Sequence, residues 1–170
     1  GSAQDHKRVG ENETGPNTGG MGAYSPAPII TKSLEKKIIE KIIKPTLKYF
    51  KDKGKPFTGF LYAGLMIKNN KPYLIEYNVR MGDPECQVIL PRLRNDLAEL
   101  LDKLTKNRLG KLKIKWKKNK CMTIVVCSKG YPGKYKKNKI INNFIKINLD
   151  KNTYIYHAGT KNYMENFLTT

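Results

Sequence analysis

The feature that most constrains the fold is a pair of strand-like runs that flank two asparagines. Residues 58–68 read TGFLYAGLMIK, a nearly continuous apolar run, and residues 71–80 read KPYLIEYNVR, in which apolar and polar side chains alternate. Asn69 and Asn70 between them tolerate the left-handed backbone that a two-residue β-turn needs. The pattern predicts an antiparallel hairpin whose first strand is buried on both faces and whose second strand is buried on one.

The second strand of this hairpin carries an unusual set of polar residues. Side chains alternate along a strand, so Glu76, Asn78 and Arg80 should point the same way, with about 6 to 7 Å between successive members. Carboxylate and amide oxygens are hard ligands that suit Mg²⁺, and an arginine can bind phosphate oxygens. The pattern is consistent with a metal and phosphate site, and equally with the solvated face of an edge strand.

A glycine-rich block near the N-terminus is the second candidate site. Residues 10–28 read GENETGPNTGGMGAYSPAP and hold five glycines and three prolines, which predicts a long loop and no regular element. Such a backbone can approach a ligand closely and aim N–H groups at an anion. It matches neither the Walker nor the dinucleotide-binding glycine pattern, so a surface connection is as good an interpretation.

The histidines give little indication of chemistry. Residues 4–8, QDHKR, bunch charges that are typical of a solvated face, although His6 has a reference pKa suited to acid–base work. His157 lies among short strand-like runs with no acidic residue nearby in sequence. We interpret His157 as structural, and no nucleophile with a partnering base can be recognised.

Three helices are predicted between and after these segments. Apolar residues recur at helical spacing over residues 33–53, with an interruption at Pro45. A short helix should begin at Asp83-Pro84, with Asp83 as its cap, and end at Pro91. A third should begin near Asp96, with Glu99 completing a capping box.

The character of the sequence changes near residue 110. The stretch 111–120 is basic and alternating, and 121–128, 139–147 and 153–159 read as short strands separated by Gly, Pro, Asn and Lys clusters. We therefore expect an α+β fold in which residues 1–109 form one unit and residues 110–170 a small β-rich unit.

Composition leaves the nature of the partners open. The 170 residues include 33 Lys and Arg against 14 Asp and Glu, a formal charge of +19 that could attract nucleic acid or phosphorylated molecules. However, 28 of these cations are Lys and only five are Arg, and the chain holds 16 Ile and 15 Asn. An AT-rich coding sequence produces this combination, whereas nucleic-acid interfaces favour Arg. A basic nucleic-acid-binding module remains an alternative, and we expect no nucleic-acid partner.

The cysteines and the hydropathy indicate a cytoplasmic protein with no membrane partner. Cys86, Cys121 and Cys127 are odd in number and lack the spacing of a zinc site or a disulfide framework. No apolar run is long enough to span a bilayer. Gly1 and Ser2 resemble the remnant of a cleaved tag, so we expect this chain to be an excerpt of a longer protein.

Taken together, four stretches resemble the phosphoribosylamine–glycine ligase family of the ATP-grasp superfamily. They are QDHKRVGENETGPNTGGMGAYSPAP (4–28), GFLYAGLM (59–66), IEYNVRMGDPECQ (75–87) and HAGT (157–160). Other ATP-grasp enzymes share the E-x-N-x-R strand, whereas the glycine-rich block and G-D-P-E are characteristic of this family. The resemblance implies an ATP-grasp C-terminal subdomain, an antiparallel sheet with helices, followed by a small, truncated β-rich C-terminal domain.

The resemblance also implies a reaction and a set of site residues. The reaction joins glycine to 5-phosphoribosylamine through glycyl phosphate, with ATP cleaved to ADP and phosphate, in de novo purine biosynthesis. Glu76 and Asn78 would hold Mg²⁺ or Mn²⁺, and Arg80 would stabilise charge on the transferred phosphoryl group. The remaining implied residues would line the pocket for glycine and phosphoribosylamine: Asn17, Thr18, Gly19, Gly20, Met21, Gly22, Asp83, Asp5 and Lys7.

The chain departs from the family pattern in ways that limit these expectations. The run FLYAGLMI has no carboxylate where many ATP-grasp relatives place a further metal ligand. The family's adenine pocket and phosphate-binding lysine should precede Ala3. We therefore expect these 170 residues alone to be inactive, and their exposed sheet edges to permit dimerisation. Another ATP-grasp carboxylate–amine ligase, with a different acceptor, remains an alternative.

Overall fold

The structure is a computed structural model that describes residues 1–142, 148–164 and 166–170. Its strands are β1 (Gln4–Asp5), β2 (Arg8–Gly10), β3 (Thr14–Asn17), β4 (Gly22–Ser25), β5 (Tyr62–Lys68), β6 (Lys71–Asn78), β7 (Cys121–Ile124), β8 (Thr160–Tyr163) and β9 (Asn166–Thr169). Its α-helices are α1 (Lys32–Ile38), α2 (Lys44–Asp52), α3 (Cys86–Ile89) and α4 (Leu97–Thr105). The mixture of helices and antiparallel strands confirms the predicted α+β class.

The predicted hairpin is confirmed as the antiparallel pair β5–β6. Asn69 and Asn70 form its turn with φ of 51° and 57°, the left-handed values expected for a two-residue connection. The ladder runs from Lys68 opposite Lys71 to Tyr62 opposite Asn78, with an irregularity between Gly64 and Leu65. The Asn-Asn turn and this irregularity together set the register that positions Glu76 and Asn78.

The predicted burial of the hairpin is wrong. On β5, Met66 is 60% exposed, and on β6 Ile75 is 66% exposed, while Val79 just beyond β6 is 76% exposed. Among the described residues, no third strand pairs with this hairpin. Tyr77 is half-buried, and its hydroxyl reaches the helical segment and hydrogen-bonds Thr46 Oγ1 at 2.6 Å.

The predicted helix and its interruption are both confirmed. The helix runs through α1, a π-helical turn at Ile39–Ile43 and α2, so the irregular turn directly precedes Pro45. Pro45 has no N–H to continue the α-helical ladder, and the wider turn accommodates that loss. Thr31 caps the start by accepting from the Leu34 N–H at 3.1 Å. Leu34 and Ile38 are buried.

The glycine-rich block is not a loop throughout, which corrects the prediction. It contains β3 and β4, and β4 is the central strand of the antiparallel sheet β1–β4–β7. Gly22 pairs with Ile124 and Ser25 with Cys121 in this sheet. Local composition could not indicate β4 because its stability comes from pairing with strands distant in sequence.

The two later helices, α3 and α4, were both predicted, but one of the two predicted caps is wrong. Asp96 caps α4 by accepting from the Glu99 N–H at 2.8 Å. Glu99 pairs with Lys103. The predicted cap at Asp83 is wrong, because α3 begins at Cys86 and the Asp83 side chain instead accepts from Gln87 Nε2 at 2.8 Å.

The C-terminal part matches the strand predictions incompletely. β7 confirms the first half of the predicted strand 121–128, whereas 153–159 forms no strand. The alternating stretch 111–120 contributes a bridge from Trp116 to Leu93. Residues 143–147 of the run 139–147 lie outside the described residues. The β8–β9 hairpin was not predicted, since its turn contains Met164 at φ 52°, a residue type that gives no turn signal.

The division at residue 110 and the truncated C-terminal domain stay predictions. β7, which follows residue 110, pairs with β4 from the N-terminal part. Among the described residues, no helix has both the length and the apolar character that crossing a membrane requires.

A buried arginine joins three segments near the core. Arg92 is 9% exposed, and its guanidinium donates to Ser25 Oγ at 2.8 Å, to the Asn119 carbonyl at 2.8 Å and to the Lys117 carbonyl at 3.3 Å. The Ser25 hydroxyl in turn donates to the Ser2 carbonyl at 2.6 Å. These bonds hold β4 against the segment that leads into β7.

Candidate functional site

Glu76 and Asn78 lie side by side on β6, as the alternation of the strand requires. Asn78 Nδ2 donates to Glu76 Oε1 at 3.1 Å. The residue opposite Glu76 is Gly64, and a Cβ added to Gly64 would lie 3.0 Å from Glu76 Cγ. The glycine therefore leaves the room in which the Glu76 side chain lies. Rotation of the Asn78 amide would turn its oxygen toward the same point as the Glu76 carboxylate.

This pair fits a divalent cation as two ligands of a shared shell. A carboxylate and an amide oxygen are the donor types that Mg²⁺ and Mn²⁺ accept, and both ions retain open positions for phosphate oxygens and water. In the part of the chain that the structure describes, no three His, Cys, Asp or Glu side chains converge to form a metal cluster. The remaining ligands would have to come from a bound nucleotide or from other parts of a longer protein.

Arg80 lies beyond the end of the strand. β6 ends at Asn78, and Arg80 Nη1 donates to the neighbouring Met81 carbonyl at 2.9 Å. Arg80 lines a cleft of about 540 Å³ between the turn after β6, α3 and the segment around Tyr156. The cleft is lined by charged, polar and apolar side chains, among them Arg80, Asp83, Cys86, Gln87, Leu90 and Tyr156.

The cleft combines opposite charges with apolar and weakly acidic groups. Arg80 and Asp83 are both exposed on its wall. Burial, reinforced by Asp83, raises the pKa of the Cys86 thiol, so it stays protonated at neutral pH. Burial also raises the pKa of Tyr156, with contributions from Cys121 and Cys86. The cleft can therefore bind a polar molecule that carries anionic and hydrogen-bonding groups.

The segment QDHKR and the glycine-rich block fold onto each other. The Thr18 N–H donates to the Lys7 carbonyl at 2.7 Å, and the Met21 N–H to the His6 carbonyl at 2.7 Å. Lys7 Nζ donates to the Gly19 carbonyl at 2.9 Å. These backbone and side-chain hydrogen bonds hold residues 17–22 in a defined conformation, and we call this segment the glycine-rich wall.

Gly20 brings this wall against the turn that carries Asp83. It is buried with φ 137°, and a Cβ there would overlap Pro84 Cδ and lie 2.7 Å from Asp5 Oδ1. Only glycine permits this approach. Gly20, Asp5 and Asp83 are thus in one neighbourhood, whereas Gly22 lies in β4 against the Thr123 carbonyl. Asn17 is exposed opposite Arg8 in the β2–β3 ladder.

Two carboxylates are buried beneath Gly20 and the turn. The side chain of Asp5 is 8% exposed and forms an ion pair with Lys7. Glu85 is 4% exposed and accepts a hydrogen bond from Tyr62 Oη at 2.7 Å. Burial raises the pKa of Asp5; Lys7 opposes this shift and Glu85 reinforces it. Burial and the bond to Glu85 raise the pKa of Tyr62, so its hydroxyl remains a donor.

The sequence interpretation missed the roles of Tyr62 and Glu85. Tyr62 lies in an apolar run that was read as core, and Glu85 was only part of a quoted motif. No local pattern marked these two residues, because the close fit of Gly82 on the Glu85 carboxylate, where a Cβ would overlap, exists only in the folded chain. His6 lies beside Tyr24, with ring centroids 5.5 Å apart, and outside the cleft.

This chain is similar in sequence and in fold to known proteins. The family model for the phosphoribosylglycinamide synthetase ATP-grasp (A) domain matches residues 1–86. The phosphoribosylamine–glycine ligase of Vigna unguiculata is 51% identical over 162 residues, 94% of this chain and 52% of the relative. The enzyme of that name from Brucella melitensis is 46% identical over 160 residues, 94% of this chain and 38% of the relative.

A solved structure shows the same fold. The crystal structure of phosphoribosylamine–glycine ligase from Thermotoga maritima superposes with a TM-score of 0.74 at 30% identity, over 98% of this chain and 40% of the other. The chain thus spans about half the length, or less, of the relatives that it matches.

The fold and the site together define an ATP-grasp protein. The hairpin with Glu76 and Asn78 on its second strand lies within the matched segment. Because the matched residues make up half of the chain, the assignment can be made more narrowly. The chain belongs to the phosphoribosylglycinamide synthetase family, which confirms the resemblance read from its motifs.

Proposed function

We propose that this chain is part of a ligase that joins glycine to 5-phosphoribosylamine with cleavage of ATP. In this reaction the glycine carboxylate attacks the γ-phosphorus and ADP leaves, giving glycyl phosphate. The amine of phosphoribosylamine then attacks the glycyl carbonyl, phosphate leaves, and the nitrogen loses a proton as the amide forms. The proposal is supported by relatives that carry this enzyme's name and by the convergence of Glu76 and Asn78.

Glu76 and Asn78 would hold a Mg²⁺ or Mn²⁺ ion that accompanies ATP. The ion would neutralise negative charge on the phosphates, which is the main requirement for catalysis of phosphoryl transfer. The role of the protein is to place a carboxylate and an amide oxygen at one point near the end of β6. Gly64 supports this placement because it leaves the facing position of β5 without a side chain.

The cleft next to this strand would bind the two substrates that become joined, glycine and phosphoribosylamine. Arg80 offers a delocalised cation for anionic oxygens, and Asp83 offers an acceptor for hydroxyl or ammonium groups. Gly20 permits the glycine-rich wall to lie against Pro84, the residue after Asp83. We assign Arg80 to charge stabilisation, and Asp83 with the wall formed by 17–22, Asp5 and Lys7 to substrate binding.

The 170 residues would contribute one side of the active site. We propose that residues 1–109 supply the ATP-grasp part and residues 110–170 part of a β-rich domain, and that the isolated chain lacks ligase activity. The edges of the hairpin, which pair with no further strand among the described residues, are where the isolated chain would dimerise.

A substrate-omission assay on the full-length protein tests the proposed reaction. ADP release should require glycine and phosphoribosylamine together, and the amide product should form in equal amount. If another amine replaces phosphoribosylamine without loss of rate, the protein is a different ATP-grasp ligase. If no ADP forms with any amine, the proposal is wrong.

A further inference from the structure

Glu85 is a buried carboxylate that the proposed reaction does not use directly. It is 4% exposed and directly precedes α3, where its carbonyl accepts from the Ile89 N–H at 3.0 Å. A carboxylate in such a place costs free energy unless donors satisfy it. The hydroxyl that satisfies Oε1 is that of Tyr62, at 2.7 Å. The pair is therefore a specific contact between β5 and the start of α3.

The Glu85 carboxylate fills the space beneath the turn that carries the cleft residues. A Cβ at Gly82 would overlap Glu85 Oε2, and would lie 2.7 Å from Glu85 Cδ and 2.8 Å from Tyr62 Cε2. The Cys86 N–H closes the turn by donating to the Gly82 carbonyl at 2.9 Å. The backbone at Gly82 thus rests directly on the Tyr62–Glu85 pair, and its position follows theirs.

The same pair connects the cleft to the strand with the polar residues. Tyr62 is the residue opposite Asn78 in the β5–β6 ladder. Arg80 and Asp83 lie on either side of Gly82 and line the cleft. A shift of Glu85 relative to Tyr62 would therefore move both cleft residues relative to Asn78.

We infer that Glu85 is a positioning residue, held by Tyr62, which sets the placement of Arg80 and Asp83 relative to the ligand pair on β6. This inference rests on the proposed function for its kinetic consequence. Neither Tyr62 nor Glu85 lines the cleft, so their effect on binding acts through the backbone at Gly82.

Kinetics of the full-length protein test the inference with Tyr62→Phe, which removes the hydroxyl and keeps the ring. A hydrogen bond to a carboxylate contributes enough for roughly a tenfold effect. We expect kcat/KM for glycine, phosphoribosylamine or both to fall about tenfold, through kcat as well as KM because Arg80 is assigned to charge stabilisation, with KM for ATP within about twofold. Tyr73→Phe, at an exposed tyrosine of β6, is the matched control. Glu85→Gln should reduce kcat/KM less than Glu85→Ala does, because the amide oxygen can still accept a hydrogen bond from Tyr62.

Amide hydrogen exchange separates positioning from general destabilisation and needs no activity. In Tyr62→Phe, exchange at Cys86 should accelerate while exchange at Leu34 in α1 stays as in the wild type. Unchanged kcat/KM values for both glycine and phosphoribosylamine, or exchange that accelerates equally at Cys86 and Leu34, would overturn the inference. A wild-type protein without ligase activity would contradict the proposed function, and the exchange measurement would still decide the positioning role.

Discussion

Gly20 lies against Pro84 so closely that a Cβ on Gly20 would overlap the proline ring. Gly20 also has φ 137°, which L-residues rarely adopt. Replacement of Gly20 by Ala should therefore lower the free energy of unfolding by about 2 kcal/mol or more, through strain and overpacking. Denaturant unfolding measures this change. Gly110→Ala is the control, because a Cβ there would meet nothing within 4 Å. Equal stability of the two variants would show that the close approach is not required.

Arg92 provides a second test of the architecture. Its planar guanidinium donates to Ser25, Asn119 and Lys117 at once, and a lysine ammonium cannot reach all three. Arg92→Lys should lower the free energy of unfolding by about 2 kcal/mol, since buried acceptors lose their donors. Arg94→Lys at an exposed position should cost less than about 0.5 kcal/mol. Comparable losses would contradict the structural role given to Arg92.

Tyr77 should stabilise the contact between the hairpin and the irregular helical turn. Its hydroxyl bonds Thr46 Oγ1 at 2.6 Å and the Ile42 carbonyl at 3.2 Å. Tyr77→Phe should lower the free energy of unfolding by about 1 kcal/mol. Tyr73→Phe, on the same strand but 51% exposed, should have no measurable effect in the same thermal unfolding experiment. If Tyr77→Phe leaves the free energy of unfolding unchanged, packing alone holds the helix on β6.

Asp5 should give the folding stability a characteristic pH dependence. Its pKa is raised from the usual 3.8, mainly by burial, so the folded state binds a proton more tightly than the unfolded state. Stability from this group is therefore fully present below about pH 4 and is lost as pH rises through the raised pKa. The unfolding free energy of Asp5→Asn minus that of the wild type should therefore increase as the pH rises from 4 to 7.

Denaturant unfolding at several pH values checks this prediction for Asp5. Asp102→Asn, at an exposed carboxylate paired with Lys106, controls for the loss of a surface charge. If the unfolding free energy of Asp5→Asn minus that of the wild type decreases as the pH rises, the raised pKa of Asp5 is contradicted.

The elements that the sequence predicted well are those set by local chemistry. The Asn69-Asn70 turn, the interruption before Pro45 and the cap at Asp96 each depend on residues within a few positions. β4 was missed because its hydrogen bonds go to β1 and β7. The glycines that suggested a loop are instead required for close packing, as at Gly20.

The site follows the same rule. The proximity of Glu76 and Asn78 could be predicted from strand alternation, which is local. The Tyr62–Glu85 pair could not, because it joins residues 23 positions apart and neither side chain breaks its local pattern. Burial of the hairpin was overestimated at Ile75 and Val79, since apolar character indicates a preference for burial and not the presence of a covering layer.

The most direct test of the proposed site is binding of Mn²⁺ with ATP to the full-length protein, followed by calorimetry or by the spectrum of the bound ion. Glu76→Gln removes the only carboxylate of the ligand pair and should weaken metal-dependent ATP binding at least about tenfold. Glu99→Gln, an equivalent change on α4 away from the cleft, should bind as the wild type does. If Glu76→Gln binds Mn²⁺ and ATP as tightly as Glu99→Gln, the polar face of β6 is not a metal site.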